Sequence, residues 1–377
     1  MNLDLSKFIF VDHHCHSLLK GHSELDTFGF RQCFTESRSR RIIEEHIPAS
    51  LHYMDLLNSM SRILTTSDEE SLISRRCLQQ EAGWVRTLWD DVSLGGLIVD
   101  DGYRTDEMLS IAQLSAIAQR PIYACRRIEN VLESCLERCG TFGELRQMLP
   151  EKLLERNGPQ IVALKTIVAY RGGLIIGTVS EDEARDDYES RKSLFKAGFA
   201  LQSSPFYHFL LRQIFHLAGE KGLPVQIHTG MGDDDANLLA SNPAHLQDLL
   251  GSKEFARTNF VLLHCFPYVR EAALLSALFG NVYMDLSLSV SQSSGLARQM
   301  ILEALAAAPS SKILAGTDGH SCPESHWFGA ISFTRGLSHA LQNLIASQTI
   351  TDQQALKIAA AILHGNAIDL YKLEGLV

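Results

Sequence analysis

Three histidines fall within four positions at the end of an apolar run, FIFVDHHCHS (8–17). A β-strand sends successive side chains to opposite faces, so His14 and His16 form a pair while His13 and Cys15 face the surrounding helices. Such a pair can chelate one metal ion, but hydrogen bonding would explain it as well. The same residue types recur at the ends of other apolar runs. Lys165 lies in IVALKTI (161–167), His228 in PVQIHTG (224–230), His264 in NFVLLHCF (259–266) and Asp318 in KILAGTDGH (312–320). Four imidazoles, a carboxylate and a lysine suit zinc, and also manganese, iron or nickel.

Each member has a structural reading when taken alone. A strand-end histidine such as His228 is ordinarily a hydrogen-bonded core or rim residue, and Asp318 can cap the following turn. His320, His326 and His339 read as surface or rim residues. Co-occurrence decides for the metal site. Lys165 is the hardest to explain as structure, because an unpaired ammonium in a buried strand is costly. Its amine can react with carbon dioxide to give an anionic carbamate that bridges two metals. It can also act as a base of lowered pKa, or hold a substrate carboxylate.

These residues need elements that bring them together. Further apolar runs, GGLIVDDG (95–102), PIYACRRIE (121–129) and NVYMDLS (281–287), complete a set of eight, with helix-like stretches between the later ones. Alternating strands and helices predict a parallel sheet, and eight units predict a TIM barrel. Its catalytic residues gather at the C-terminal ends of the strands. The chain has 377 residues, roughly 120 more than the barrel's usual ~250. Helical insertions at approximately 18–93 and 129–158 account for the surplus, within a single domain spanning 1–377. A doubly wound open sheet is the runner-up, but no GxGxxG turn follows a first strand.

With 45% hydrophobic and 21% charged residues, the composition is that of a soluble globular protein. A net charge of −10 argues against broad binding to nucleic acid or an anionic membrane. The acidic run EDEARDDYE (181–189) reads as a solvated helix face or loop. There is no secretory pattern, no run long enough to span a membrane and no CxxC among eight cysteines. A cytoplasmic protein with reduced thiols is expected.

The whole pattern resembles the amidohydrolase superfamily, whose members are distorted TIM barrels. The matching residues are HCH (14–16), ALKT, IHTG, LLHC and GTDGH. More narrowly, LIVDDGY, ALKTIVAYRGGL, QIHTGMGDDDANLLASNPAHL, HCFPYVREAALLSALFGNVYMDLS and TDGHSCPE resemble one subgroup. That subgroup comprises the amidohydrolase-like domain of plant nodulin and fungal glutamine-synthetase-fused proteins, with their stand-alone bacterial relatives. The 377 residues are expected to end with the barrel, so roles that depend on the synthetase-like half are not carried over.

The resemblance implies two divalent metals, zinc first. His14, His16 and Asp318 would hold one, His228 and His264 the second, with N-carboxylated Lys165 bridging. It implies amide hydrolysis by activated water, with Asp318 as catalytic proton shuttle. The substrate would be small and carboxylate-bearing, a gamma-glutamyl amide or dipeptide. Arg171 would clamp its carboxylate, or form a rim ion pair instead, with Tyr170 beside it; Asp233 would bind its amine. Glu324 and Asn242 are weaker candidates. The alternatives are a one-metal lyase, decarboxylase or uronate-isomerase-like enzyme, and a catalytically silent binding scaffold. A homo-oligomer is the default assembly.

Overall fold

The computed structural model describes residues 3–155, 158–196 and 201–376. Among them, eight parallel strands pair in chain order in one sheet. They are β1 (Phe10–Cys15), β2 (Leu94–Asp100), β3 (Ile122–Arg127), β4 (Ile161–Thr166), β5 (Val225–Thr229), β6 (Phe260–His264), β7 (Val282–Asp285) and β8 (Ile313–Leu314). The order never reverses, which rules out the doubly wound arrangement. Backbone bonds close the cylinder between its ends: His13 N donates to Ala315 O at 3.3 Å, and Asp318 N to His14 O at 3.0 Å. The Asp12 side chain adds to this seam, accepting from Thr317 N at 2.9 Å and from its hydroxyl at 2.5 Å. The fold is the (β/α)8 barrel that the runs predict.

The strands are apolar on both faces because both faces are covered. Outward residues such as Phe10 pack on the helices, here edge-on to Phe333. Inward residues Val11, Ile98, Cys125, Val261, Leu263 and Leu314 fill the interior. The C-terminal helix Asn366–Tyr371 joins that cluster through Ala367, Leu370 and Tyr371, so it closes the barrel at the strands' N-terminal ends.

The first excursion folds into helices that include Leu51–Leu64, Glu69–Cys77 and Glu81–Asp91. A dry ion pair pins it to the long helix Pro323–Ala346, Arg76 Nε to Glu324 Oε1 at 2.5 Å. The second forms Ile128–Arg138 and Phe142–Leu153, and its residues 156 and 157 lie outside the described residues. A third long connection, between β4 and β5, carries Glu181–Lys196 and Pro205–Lys221; the sequence reading did not count it as an insertion. The acidic run opens the first of these helices behind a Ser180–Glu183 capping box. It buries only Ala184 and Tyr188. Among the described residues, no helix is long and apolar enough to cross a membrane.

Candidate metal centre

Simple alternation does not build the site; two local irregularities do. In β1, Asp12 pairs with Leu97 and Cys15 with Val99, so β1 carries one extra residue there. That bulge resets the alternation. His13, two residues beyond inward Val11, points into the barrel, not towards the helices as expected, and the bulge that follows it turns His14 and His16 in as well. Cys15 alone keeps the outward direction, its thiol 3.6 Å from Ile98 O. In β6, Val261 and Leu263 face inward, which would send His264 outward. Its backbone instead turns left-handed, with φ 68°, and the ring swings back over the interior. Asp318 is left-handed too, at φ 52°. His228 and Lys165 need no such device, since alternation along β5 and β4 already points them inward.

The result is one cluster at the C-terminal mouth. His14 Nε2 and His16 Nε2 lie 3.0 and 3.2 Å from Asp318 Oδ1. His264 Nδ1 is 4.0 Å from Asp318 Oδ2, and the His228 and His264 ring centres are 4.6 Å apart. Lys165 Nζ lies 3.0 Å from His14 Nε2 and 3.9 Å from Asp100 Oδ2. Ligand atoms of His14, His264 and Asp318 all fall within 4.8 Å of one another.

Several of these buried atoms have no hydrogen-bond partner: His14 Nδ1, His16 Nδ1, His228 Nε2 and Asp318 Oδ1. Unpaired polar atoms in a dry interior are costly. The Nε2 atoms of His14 and His16 converge on Asp318 Oδ1 and His228 Nε2 has no partner, an arrangement a bound cation would satisfy, so the donor set fits a divalent metal. Electrostatics agree. Burial drives the basicity of His228 well below the ordinary value and that of His264 down to about 3, favouring neutral, ligating imidazoles. Burial pushes the Asp318 carboxyl up, but His264, His14 and His16 outweigh it and hold it well below the carboxylate range. Burial also lowers the Lys165 ammonium.

A cavity of about 490 Å³ opens above the cluster. Tyr170 lines it with its ring centre 4.6 Å from that of His228. Arg171 lines it too, while meeting Glu133 at 3.3 Å, so it is both wall and rim ion pair; its Nε is buried and unpartnered. Asp233 stands on the wall, shared with Arg38 of the first excursion at 3.2 Å. Burial raises its pKa. Gly232 supplies room, since a Cβ there would sit 2.8 Å from His228 Nε2. Asn242 lies apart, capping a 3-10 turn through Ala244 N, and Glu324 is taken up by Arg76.

The amidohydrolase family model matches residues 167–373, more than half the chain. The chain belongs to the amidohydrolase family. A curated relative, protein fluG of Emericella nidulans, is 35% identical over 227 residues, covering 57% of this chain and 26% of its own length. The chain thus spans about a quarter of that relative. Among solved structures, a protein assigned as a metal-dependent hydrolase from Lactobacillus casei aligns over 100% of both chains, with TM-score 0.86 and 24% identity. The uronate isomerase of Thermotoga maritima aligns over 97% of this chain and 95% of its own, with TM-score 0.68 and 16% identity. At those identities the two structures speak for the barrel alone. The family match and the barrel together give the coarse description of this chain, an amidohydrolase-family (β/α)8 barrel.

The site also holds residues that the sequence reading passed over. Asp100 and Arg127 end β2 and β3 and form a buried pair, Arg127 Nη2 to Asp100 Oδ2 at 2.5 Å, beside Lys165. Their signal was present as the doublets DD and RR closing two runs: alternation turns Asp100 and Arg127 inward, and Asp101 and Arg126 pair outside at 2.7 Å. Of the three histidines set aside as surface or rim, only His339 is exposed. His320 lines the cavity, 3.8 Å from Glu36. His326 is fully buried against Trp89, 3.8 Å from Asp12. The grouping of Asp12, Cys15 and His326 belongs to the β1–β8 seam, because Thr317 already engages both Asp12 oxygens.

Proposed function

We propose that this chain is a metal-dependent hydrolase cleaving an amide bond of a small, carboxylate-bearing substrate, a gamma-glutamyl amide or a dipeptide. The observation that carries the reading is the set of buried, unpartnered donors opening onto a cavity with Arg171 and Asp233 on its walls. His14, His16 and Asp318 would hold one ion and His228 and His264 a second, with N-carboxylated Lys165 between them. Such ions, zinc in the first instance, supply Lewis acidity that polarises a carbonyl and acidifies water towards neutral pH.

The chain's own groups do the rest. Arg171 offers its guanidinium to a substrate carboxylate, and that fork suits bidentate capture. Asp233 faces the substrate's ammonium, and Tyr170 closes the wall over His228. Asp318 is held ionised, so it can take a proton from attacking water and return it to the departing amine.

One observation favours a second reading. Uncarboxylated Lys165, as its ammonium, already has Asp100 at 3.9 Å as counter-charge, as a one-metal lyase or isomerase on this barrel would keep it. Metal stoichiometry on protein expressed with zinc and bicarbonate separates the two. Two ions per chain, falling in Lys165→Ala, support the hydrolase, and turnover of a gamma-glutamyl amide and dipeptide panel then tests the substrate. One ion in both proteins moves the reading to the lyase or isomerase.

A further inference from the structure

Below the candidate ligands lies a second polar layer to which the proposed chemistry gives no task. His13, Gln226 and Asp285 are 0% exposed and Tyr371 is 3% exposed. They come from β1, β5, β7 and the C-terminal helix. His13 Nε2 meets Asp285 Oδ2 at 2.7 Å, and its Nδ1 meets the Tyr371 hydroxyl at 3.1 Å. Gln226 Nε2 donates to that hydroxyl at 3.0 Å and to the His13 carbonyl at 2.9 Å. Gly316 leaves room for the imidazole: a Cβ there would lie 3.1 Å from His13 Cδ2.

The other oxygen of Asp285 reaches the site. Oδ1 accepts from the His264 backbone N–H at 2.5 Å and from Ser287 N–H at 3.3 Å. His264 needs that support, because a non-glycine residue held left-handed is strained. Ser287 Oγ in turn lies 2.8 Å from His264 Nδ1, so the other ring nitrogen is left for a ligand. One carboxylate therefore fixes both the backbone turn that brings the ring inward and the hydroxyl that chooses its ligating nitrogen. A buried carboxylate keeps its orientation through its partners, and here those are His13 and, behind it, Tyr371 and Gln226.

We propose that Asp285, His13 and Tyr371 form a positioning chain through which the C-terminal helix sets His264 for metal binding. It rests on the metal centre proposed above and extends that centre to the last helix of the fold. None of the three touches substrate or reacting atoms. If they served packing alone, their loss would lower stability and leave metal affinity as it was.

The test uses the full chain stripped of metal, in wild type, Asp285→Asn and Tyr371→Phe. The melting temperature of each apoprotein and its zinc dissociation constant, by competition with a chromophoric chelator, are measured together. Cobalt-loaded samples give the visible spectrum of the site. Asp285→Asn is expected to weaken zinc binding about tenfold, the lower end for partners that orient ligands. Tyr371→Phe, which keeps the ring and its packing, is expected to give a smaller loss in the same direction and an altered cobalt spectrum. Wild-type affinity and spectrum in both variants would overturn the proposal. If Asp285→Asn does not fold, Tyr371→Phe decides alone. A wild-type protein that binds no zinc would instead remove the metal centre itself, a separate failure.

Discussion

Replacing Glu324 by glutamine separates a structural carboxylate from a catalytic one. The side chain keeps its shape but leaves Arg76 without a counter-charge where the two are 0% and 1% exposed. Glu324 Oε1 also accepts from Trp84 Nε1 at 2.6 Å, and Arg76 Nη2 keeps the His22 carbonyl at 2.6 Å. Removing one partner of a buried pair costs about 3–5 kcal/mol. Unfolding entropy of about 2.1 cal/mol/K per residue gives about 0.8 kcal/mol/K for 377 residues. The melting temperature should therefore fall by about 4–6 °C.

The pH dependence has a definite sign. Burial pushes the Glu324 pKa up, but the Arg76 charge and its hydrogen bond outweigh it, so the folded value lies below the ordinary 4.5. A depressed carboxylate stabilises the fold fully above its unfolded pKa and loses that contribution as pH falls through the folded one. Calorimetry from neutral pH down past 4.5 and through the lower folded value should show the gap between wild type and variant narrowing once the pH falls below about 4.5. A gap under about 1 °C at neutral pH, or one that widens in acid, would refute the ion-pair reasoning. Lost turnover with an unchanged melting temperature would return Glu324 to the site.

Three further outcomes are expected. Gly232→Ala places a methyl group against His228 Nε2 and the Tyr170 hydroxyl, and should weaken metal binding about tenfold by calorimetry; unchanged binding would take His228 out of the ligand set. Stripping metal with a chelator should lower the melting temperature by about 5 °C, since an ion at a thousandfold its dissociation constant adds ~4 kcal/mol. Re-addition should restore it, and an unaltered melt would count against any structural hold on metal. Arg171→Lys keeps the charge but loses the fork, so KM for carboxylate substrates should rise about tenfold with kcat nearly kept. An equal fall in kcat would mean that Arg171 acts on the transition state instead.

Much of the architecture was legible because burial writes itself into sequence. Each apolar run closed by an ionisable residue became a strand, and the runs needed no alternation because both faces of the sheet are covered. The connection between β4 and β5 was not counted as an insertion because its acidic run reads equally as a helix face or a loop, leaving Pro205–Lys221 to pass for the single ordinary crossover helix. Glu324 and His326 show the opposite limit. Their types suit a site, yet one is matched by Arg76 from an excursion far away in sequence and the other by Trp89. Nothing local to TDGHSCPESHW announces either partner.

The facing of His13, and the way His264 reaches the cluster, escaped the sequence for a sharper reason. Period-two alternation is a property of a regular strand, and both residues sit where the strand is irregular. The extra residue in β1 is defined by its pairing with β2, and the left-handed turn at His264 by an acceptor on β7. Neither exists until the neighbouring strand has paired. His14 and His16 came out on the inner face only because the bulge follows His13; in a regular strand with His13 facing inward, both would have faced out. Spacing found the ligand candidates by residue type, while long-range pairing aims them. The same dependence locates the site's weak points. A change that relieves the turn at His264 or the bulge at His13 should move a ligand without touching it, which is why the carboxylate of Asp285, bonded to both residues, is the group on which the geometry of this centre turns.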